Sequence, residues 1–351
     1  MRIVKRLAVG FVVAAALVAL GSCAELALPE EQLNPDAPPM IADPIKSTAP
    51  DSQVEVIVNI APTPTPAPTH LPTSTPLPLP TQAPPPAAAS RPLESACRQS
   101  GLVSAARFPS AIFGHPQAYR IYLPPCYDAD GNAARYPVIY LFHGWPFDER
   151  HWINLGVDKE ADRLITSGAL PPFIIVLPRG DTDGIYNHTS GGDKSWEGVV
   201  VNELMPYIDA NYRTLAQRDY RAIGGISRGG VWSLEIAFRH PDLFSSVGAH
   251  SAALSVNDAG ADVDPLNLVK TAPIDSLRLY LDSGSSDWTR DTTAQLARQL
   301  DTRHIPYTFI ISPGDHLDSY WSSQVEAYLK FYAAPWKIEK VVQAQLAAQT
   351  P

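Results

Sequence analysis

The stretch from Tyr220 to Pro241, Tyr-Arg-Ala-Ile-Gly-Gly-Ile-Ser-Arg-Gly-Gly-Val-Trp-Ser-Leu-Glu-Ile-Ala-Phe-Arg-His-Pro, constrains the fold more than any other part of the chain. Short apolar residues run into paired glycines, a serine follows, and Val231, Leu234 and Phe238 then recur at helical spacing. Gly225-Ile226-Ser227-Arg228-Gly229 matches Gly-x-Ser-x-Gly, a strained strand-to-helix turn that lifts the serine hydroxyl clear of a sheet. The flanking glycines let the helix start pack hard against the strand end, and Pro241 disfavours helical geometry at His240. A glycine-rich turn with an ordinary capping serine is the bland alternative; the strand before it and the helix after it favour the elbow.

Outside that stretch the chain divides by composition. Of 351 residues 35 are proline, and they crowd between Ala24 and about Pro92, as in Ala61-Pro-Thr-Pro-Thr-Pro-Ala-Pro-Thr69 and Pro84-Pro-Pro-Ala-Ala-Ala89. Such a segment buries too little apolar surface to offset chain entropy and favours extended polyproline geometry, so residues 23–92 read as a disordered Pro/Thr-rich tether. One island, Val54-Glu-Val-Ile-Val-Asn-Ile60, is strand-like and reads either as a docked strand or as a sticky linker patch. At the start, Arg2, Lys5 and Arg6 precede the uncharged run Leu7 to Leu20, the order of a secretory signal. Leu20-Gly21-Ser22-Cys23 resembles the lipobox of bacterial lipoproteins, which implies a signal peptide over 1–22 and diacylation of Cys23; an uncleaved signal anchor is the alternative. Either reading places the remainder outside the cytoplasm, in the bacterial cell envelope, held to the membrane at its N-terminus.

Removing residues 1–22 takes away three positive charges and no negative ones, moving the formal charge from −9 to −12. With no basic run and no aromatic-basic interleaving, nucleic acid is not an expected partner. If Cys23 is lipidated, Cys97 and Cys126 remain as an even pair in a compartment where disulfides persist, and a bridge between them is expected; two free buried thiols are the alternative. Asp181-Thr-Asp-Gly184 and Asp193 suggest a calcium loop, but the full spacing is absent, and neither a metal nor another cofactor is expected.

Residues 93–335 carry alternating strand and helix signals, with 336–351 a weakly amphipathic tail. Tyr119 to Leu123 reads as a strand. Pro137-Val-Ile-Tyr-Leu-Phe142 and Phe173-Ile-Ile-Val-Leu177 are continuous apolar runs of the kind buried in parallel sheets. Ser246 to Ala249, Leu277 to Asp282 and Tyr307 to Ile311 supply further strands. Helices are expected from Val157 to Gly168, from Trp196 to Ala210, around Thr293 to Leu300 and around Trp321 to Tyr332. The alternation implies an α/β domain whose mostly parallel sheet is covered on both faces.

A serine hydroxyl is a poor nucleophile until a base takes its proton, and the base needs a third group to stabilise its positive form. The chain supplies these in the order Ser227, Asp287, His316. His316 lies in Ser312-Pro-Gly-Asp-His-Leu317 beyond a strand end, with His250 the reserve candidate. Asp287 lies in Ser283-Gly-Ser-Ser-Asp-Trp288, with Asp282 its competitor. An oxyanion needs two preset donors. The amide of Arg228 is one, and the amide of Trp145, after Gly144, is assigned as the other. Trp145 and Phe147 wall an apolar acyl or aryl pocket, or else simply pack in the core.

Tyr122-Leu-Pro-Pro125, Tyr136-Pro-Val-Ile-Tyr-Leu-Phe-His-Gly144, Glu203-Leu-Met-Pro-Tyr-Ile208, Gly224-Gly-Ile-Ser-Arg-Gly-Gly230, His240-Pro-Asp-Leu-Phe244 and Gly314-Asp-His316 together resemble one family. It is the esterase branch of the α/β-hydrolases, which includes feruloyl and acetylxylan esterases, enterochelin esterases, S-formylglutathione hydrolase and mycolyltransferases. The resemblance covers nearly all of residues 100 to 335. It implies an α/β-hydrolase fold and carboxyl ester hydrolysis, with Ser227, Asp287 and His316 as triad and the Trp145 and Arg228 amides as oxyanion hole. Polysaccharide-linked or other extracellular esters are the expected substrates. Two other functions remain open on the same fold: an acyltransferase using the same triad, and a silent carbohydrate-binding module. Members commonly carry methionine or another apolar residue where Arg228 stands, which leaves its side chain to meet a nearby acid or a polar leaving group.

Overall fold

The computed structural model describes residues 55–59, 100–129, 133–180, 191–257 and 259–337, all within the compact unit Pro50–Pro351. The expected signal peptide, Cys23, Cys97, Asp181 to Gly184 and most of the tail lie outside the described residues. Among those described, no helix is long and apolar enough to cross a membrane.

The continuous apolar runs Val138–Phe142 and Ile174–Pro178 become central strands, buried along their whole length. The strands are β1 (Glu55–Asn59), β2 (Leu102–Phe108), β3 (Gln117–Leu123), β4 (Val138–Phe142), β5 (Ile174–Pro178), β6 (Arg221–Ile226), β7 (Ser246–His250), β8 (Arg278–Gly284) and β9 (Tyr307–Ser312). They form one sheet in the order β1-β9-β8-β7-β6-β4-β5-β3-β2. From β9 across to β5 every pairing is parallel, whereas β3, β2 and β1 run antiparallel at the two edges.

Strand periodicity divides the core into two layers. Val138, Tyr140 and Phe142 face one cluster, together with Ile174, Val176 and Ile223, while Ile139, Leu141, Ile175 and Leu177 face the other. The first layer receives the helix Arg228–Arg239 through Val231, Leu234 and Phe238 and the helix Arg290–Thr302 through Leu296 and Leu300. The second receives Val157–Thr166 and the closing helix Asp318–Ala333, through Leu164, Trp321, Val325 and Leu329. Full burial of such a leucine side chain is worth roughly 2 to 5 kcal/mol against alanine.

Gly224 and Gly225 show why β6 is glycine-rich. Being neighbours on a strand, they look to opposite faces. A Cβ on Gly224 would run into the Tyr332 hydroxyl of the closing helix, and one on Gly225 into the backbone of Gly229 at the start of Arg228–Arg239. Each glycine therefore admits one helix to touch the sheet.

The structure departs from the sequence reading in four places. Glu55–Asn59, inside the stretch read as tether, is a docked strand: it pairs antiparallel with β9 in the register Glu55↔Ile311 to Asn59↔Tyr307. An edge strand leaves a row of backbone groups open, and Val56-Ile57-Val58 is β-branched throughout. Second, β2 went unread because its edge position leaves Leu102 and Ala105 exposed and blurs any alternation. Third, the helix Trp196–Gly198 passes through a π segment, Val199–Leu204, before continuing as Met205–Asn211. Pro206 in its last segment has no N–H for the helical ladder, so a widened turn ahead of it is a natural accommodation. Fourth, Trp336, one residue past the expected domain boundary, is buried, packs on Phe173 and donates its indole N–H to the Asp219 carbonyl at 2.8 Å. Cys126 is disulfide-bonded.

One buried group in Arg228–Arg239 sets a pH dependence. Glu235 is 1% exposed and, among the described residues, no side chain donates a hydrogen bond to its oxygens; the Gly191 amide offsets its burial only in part. Nearby Arg239 is engaged by Glu197, which also takes the Gly192 amide and His240. Burial, with the Glu197 carboxylate adding to it, pushes the Glu235 pKa from 4.5 up to about 8. Because the folded value lies above the unfolded one, this group's contribution is complete below about pH 4.5 and is lost as pH rises to about 8. We expect stability to fall by on the order of 3 kcal/mol between pH 5 and 8 on this account, and Glu235→Gln to remove that slope. Urea denaturation of both proteins at the two pH values checks it; parallel pH slopes would refute the assignment.

Candidate active site

Parallel strands end together, so the loops after β4, β6, β8 and β9 meet at one rim of the sheet. Ser227 stands between β6 and the helix Arg228–Arg239 at φ 56° and ψ −115°, in the left-handed region that a non-glycine residue occupies only under constraint. The constraint is visible. Its N–H donates to the His250 carbonyl at 2.8 Å, and its own carbonyl accepts from Ala253 at 3.1 Å and from Gly230 at 3.1 Å.

Ser227, His316 and Asp287 converge in a line. His316 Nε2 lies 2.9 Å from Ser227 Oγ, and Nδ1 lies 3.0 and 3.1 Å from the two Asp287 oxygens. With a carboxylate at Nδ1, that nitrogen carries the proton and donates, which leaves Nε2 free to accept from the serine hydroxyl. Asp287 is buried, and its Oδ1 also accepts from the Thr289 amide at 2.8 Å and the Thr289 hydroxyl at 2.9 Å. Burial alone would raise its pKa, but hydrogen bonds from His316, the Thr289 amide and the Ser251 hydroxyl outweigh it and hold the carboxyl below its ordinary value. The arrangement can pull a proton from the serine and stabilise the resulting imidazolium.

Gly144 lies against the serine, where a Cβ would come within 3.3 Å of Ser227 Cβ. Its carbonyl accepts from the Phe147 amide and from His143 Nδ1, both at 2.9 Å. Since the peptide unit is planar, holding that carbonyl also sets the direction of the Trp145 N–H. His143 Nε2 accepts the Gly180 amide at 3.0 Å, which keeps the buried ring neutral, and burial lowers its pKa to about 4. Arg228, the first helical residue, has its N–H outside the helix's own ladder. Its half-buried guanidinium lies 5.8 Å from the Trp232 ring centroid, with no ion pair among the described residues.

The reserve candidates stand elsewhere. His250 is fully buried, with Nδ1 2.7 Å from Asp282 and Nε2 2.8 Å from the Tyr332 hydroxyl, and it stacks on Tyr328 at 3.6 Å. Asp282 takes the hydroxyls of Tyr320 and Tyr328 at 2.8 and 2.7 Å. Both are therefore internal supports. Asp193 accepts from Asn202 at 3.2 Å, and no cluster suited to a metal occurs among the described residues.

Sequence reasoning missed Ser251, Thr289 and His143. Trp321 was read only as helix stripe, yet its indole N–H donates to Ser251 at 3.1 Å and its ring meets His316 edge-on at 4.9 Å. A hydrophobic period registers that Trp321 faces inward but not what its N–H touches. Beside the triad opens a cleft of about 500 Å³, lined among others by Trp145, Phe147, His316, Leu317 and Trp321. Trp145, which lines the cleft, is 67% exposed, so it does not pack into the core; Trp288, 50% exposed, stands 4.8 Å from the His316 ring.

A family model described as putative esterase matches residues 110–332. Among curated proteins, Esterase Rv1288 of Mycobacterium tuberculosis is 36% identical over 168 residues, covering 46% of this chain and 35% of that one. The endo-1,4-beta-xylanase/feruloyl esterase of Xylanibacter ruminicola is 35% identical over 153 residues, covering 42% and 21%. The chain thus aligns with about a third or less of the length of these relatives. Among solved structures, a ferulic acid esterase superposes with a TM-score of 0.61 at 25% identity, covering 67% of this chain and 98% of that one. S-formylglutathione hydrolase of Staphylococcus aureus superposes with a TM-score of 0.59 at 18% identity, covering 67% and 100%, and bears on the fold alone. On the match over residues 110–332 and the α/β-hydrolase fold that carries it, the chain belongs to the putative esterase family.

Proposed function

We propose that the protein is a serine carboxylester hydrolase of the cell envelope that works through an acyl-enzyme. The observation that carries this reading is the hydrogen-bonded line from Ser227 Oγ through His316 to Asp287. Ser227 Oγ attacks the ester carbonyl carbon while His316 Nε2 takes its proton, and Asp287 stabilises the imidazolium. Negative charge gathers on the carbonyl oxygen, where the amides of Trp145 and Arg228 receive it. As the intermediate collapses, His316 returns the proton to the departing alkoxide and the acyl group stays on Ser227. Water, deprotonated by the same histidine, then releases the acid.

Esters on carbohydrate are the proposed substrates. The exposed Trp145 ring lining the cleft suits a sugar or aryl ring, and the resemblance to a ferulic acid esterase and to a xylanase/feruloyl esterase supports the same class. Lipidation at Cys23 after removal of residues 1–22 holds the protein to the membrane, and Cys97 pairs with Cys126 to brace the start of the folded domain.

Three outcomes are expected. Ser227→Ala lowers kcat for p-nitrophenyl acetate at least about a thousandfold, and Asp287→Asn on the order of a thousand- to ten-thousandfold, with circular dichroism melts near wild type. Retained turnover in folded Ser227→Ala would remove the hydrolase reading. Given acetyl, feruloyl and longer acyl esters with sugar acceptors added, the enzyme releases free acid; acylated sugar as the main product would make it an acyltransferase. Mass mapping of an unreduced digest yields a Cys97–Cys126 peptide, whereas alkylation of both thiols would exclude the bridge.

A further inference from the structure

We propose that His151 and Asp318 form a clasp that holds the oxyanion loop against the loop carrying the base, which makes them positioning residues for the reaction. The inference rests on the serine esterase reading above.

Two loops must meet at one carbon atom. The loop after β4 brings the Trp145 amide, and the loop after β9 brings His316. Side chains from neighbouring segments tie the two together. His151 begins the one-turn helix His151–Asn154, seven residues beyond Gly144, and its ring is wholly buried. Asp318 begins the closing helix two residues after His316 and is half exposed. His151 Nε2 lies 3.0 Å from Asp318 Oδ1, and Nδ1 lies 3.4 Å from the Gly144 amide nitrogen.

These contacts dictate the proton's place. An amide N–H aimed at Nδ1 requires a lone pair there, so the proton sits on Nε2 and is donated to the Asp318 carboxylate. Burial lowers the His151 pKa, which favours this neutral form, although Asp318 pulls the other way. The ring cannot easily turn. Phe147 stacks on it at 3.8 Å and 10°, and Trp321 stands edge-on at 5.8 Å. The Gly144 carbonyl is held by His143 and Phe147 and its N–H by His151, so the two peptide units flanking the Gly144 Cα, the second of which carries the Trp145 N–H, are each fixed by hydrogen bonds.

Asp318, being half exposed, contributes through direction more than through strength. Its carboxylate sets the tautomer and tilt of a buried ring, and the ring sets the loop. A single lost oxyanion donor costs about 100- to 1000-fold in kcat, so loosening its support is expected to cost less, on the order of 10- to 50-fold.

The test uses the purified full-length protein and p-nitrophenyl acetate. Asp318→Ala should lower kcat on the order of 10-fold or more, with KM within about twofold. Asp318→Asn, which keeps an acceptor for Nε2–H, should recover most of that loss. His151→Phe keeps the stack on Phe147 but removes both hydrogen bonds, and should match Asp318→Ala. Affinity for a trifluoromethyl ketone, whose adduct with Ser227 places an oxyanion in the hole, should fall in step with kcat. Equal kcat for Asp318→Ala and wild type, or Asn behaving no better than Ala, overturns the clasp while Ser227→Ala remains inactive. Turnover in Ser227→Ala would instead overturn the reading beneath it.

Discussion

A serine held at a backbone angle it would not choose is the constraint on which the rest of the molecule depends. A residue with a Cβ at φ 56° costs on the order of 1 to 3 kcal/mol, and it persists only where neighbours leave no alternative. Here the neighbours are backbone groups at the end of β7, in the loop beyond it and in the first turn of the following helix. The Ser227 N–H is taken by His250 at the end of β7, and its carbonyl receives the amides of Gly230 and Ala253. The glycines of β6 then acquire a common purpose, since each lets one covering helix approach until the turn cannot relax. The elbow is thus a consequence of packing on both faces at once.

The residues that competed for catalytic roles in the sequence turn out to hold that backbone in place. His250 and Asp282 are opposite each other in the β7–β8 register and share a hydrogen bond below the rim. Their main chains do the positioning: the His250 carbonyl anchors Ser227, and the Asp282 carbonyl anchors Ser251 at 2.9 Å. Burial and the Asp282 carboxylate drive the Tyr320 and Tyr328 phenols far above their ordinary range, so these hydroxyls remain donors at any working pH. Removing the carboxylate would leave buried donors unmatched at about 1 to 3 kcal/mol each, which makes the network an all-or-none support.

What was legible in the chain was whatever repeats or is chemically rare. Continuous apolar runs marked β4 and β5 because both faces of those strands are buried. Gly-x-Ser-x-Gly marked the elbow because few residue types tolerate its geometry. Asp287 and His316 were legible because loops after parallel strands gather at one rim, so chain order translates into proximity. Contacts between residues distant in sequence were not legible. Thr289 and Ser251 orient Asp287 by hydrogen bonds that no periodicity encodes, and Trp321 hid its polar role inside an apolar stripe. β1 shows the same limit from the other side: Val56-Ile57-Val58 signals a strand, but only the open edge of β9 decides that it docks.

The surroundings of His316 follow from this architecture and bear on the chemistry. Its ring lies between Trp288 at 4.8 Å, half exposed on the loop of the acid, and Trp321 at 4.9 Å, buried on the closing helix. An imidazolium formed during reaction would have two indoles at its sides and a carboxylate at Nδ1, so charge is stabilised from several directions while bulk water is kept from much of the ring. Because Trp321 also reaches Ser251, and Ser251 reaches Asp287, the group that flanks the base also helps hold the acid. The closing helix is therefore part of the frame around the candidate site, touching the His316 ring through Trp321 and, through Ser251, reaching Asp287.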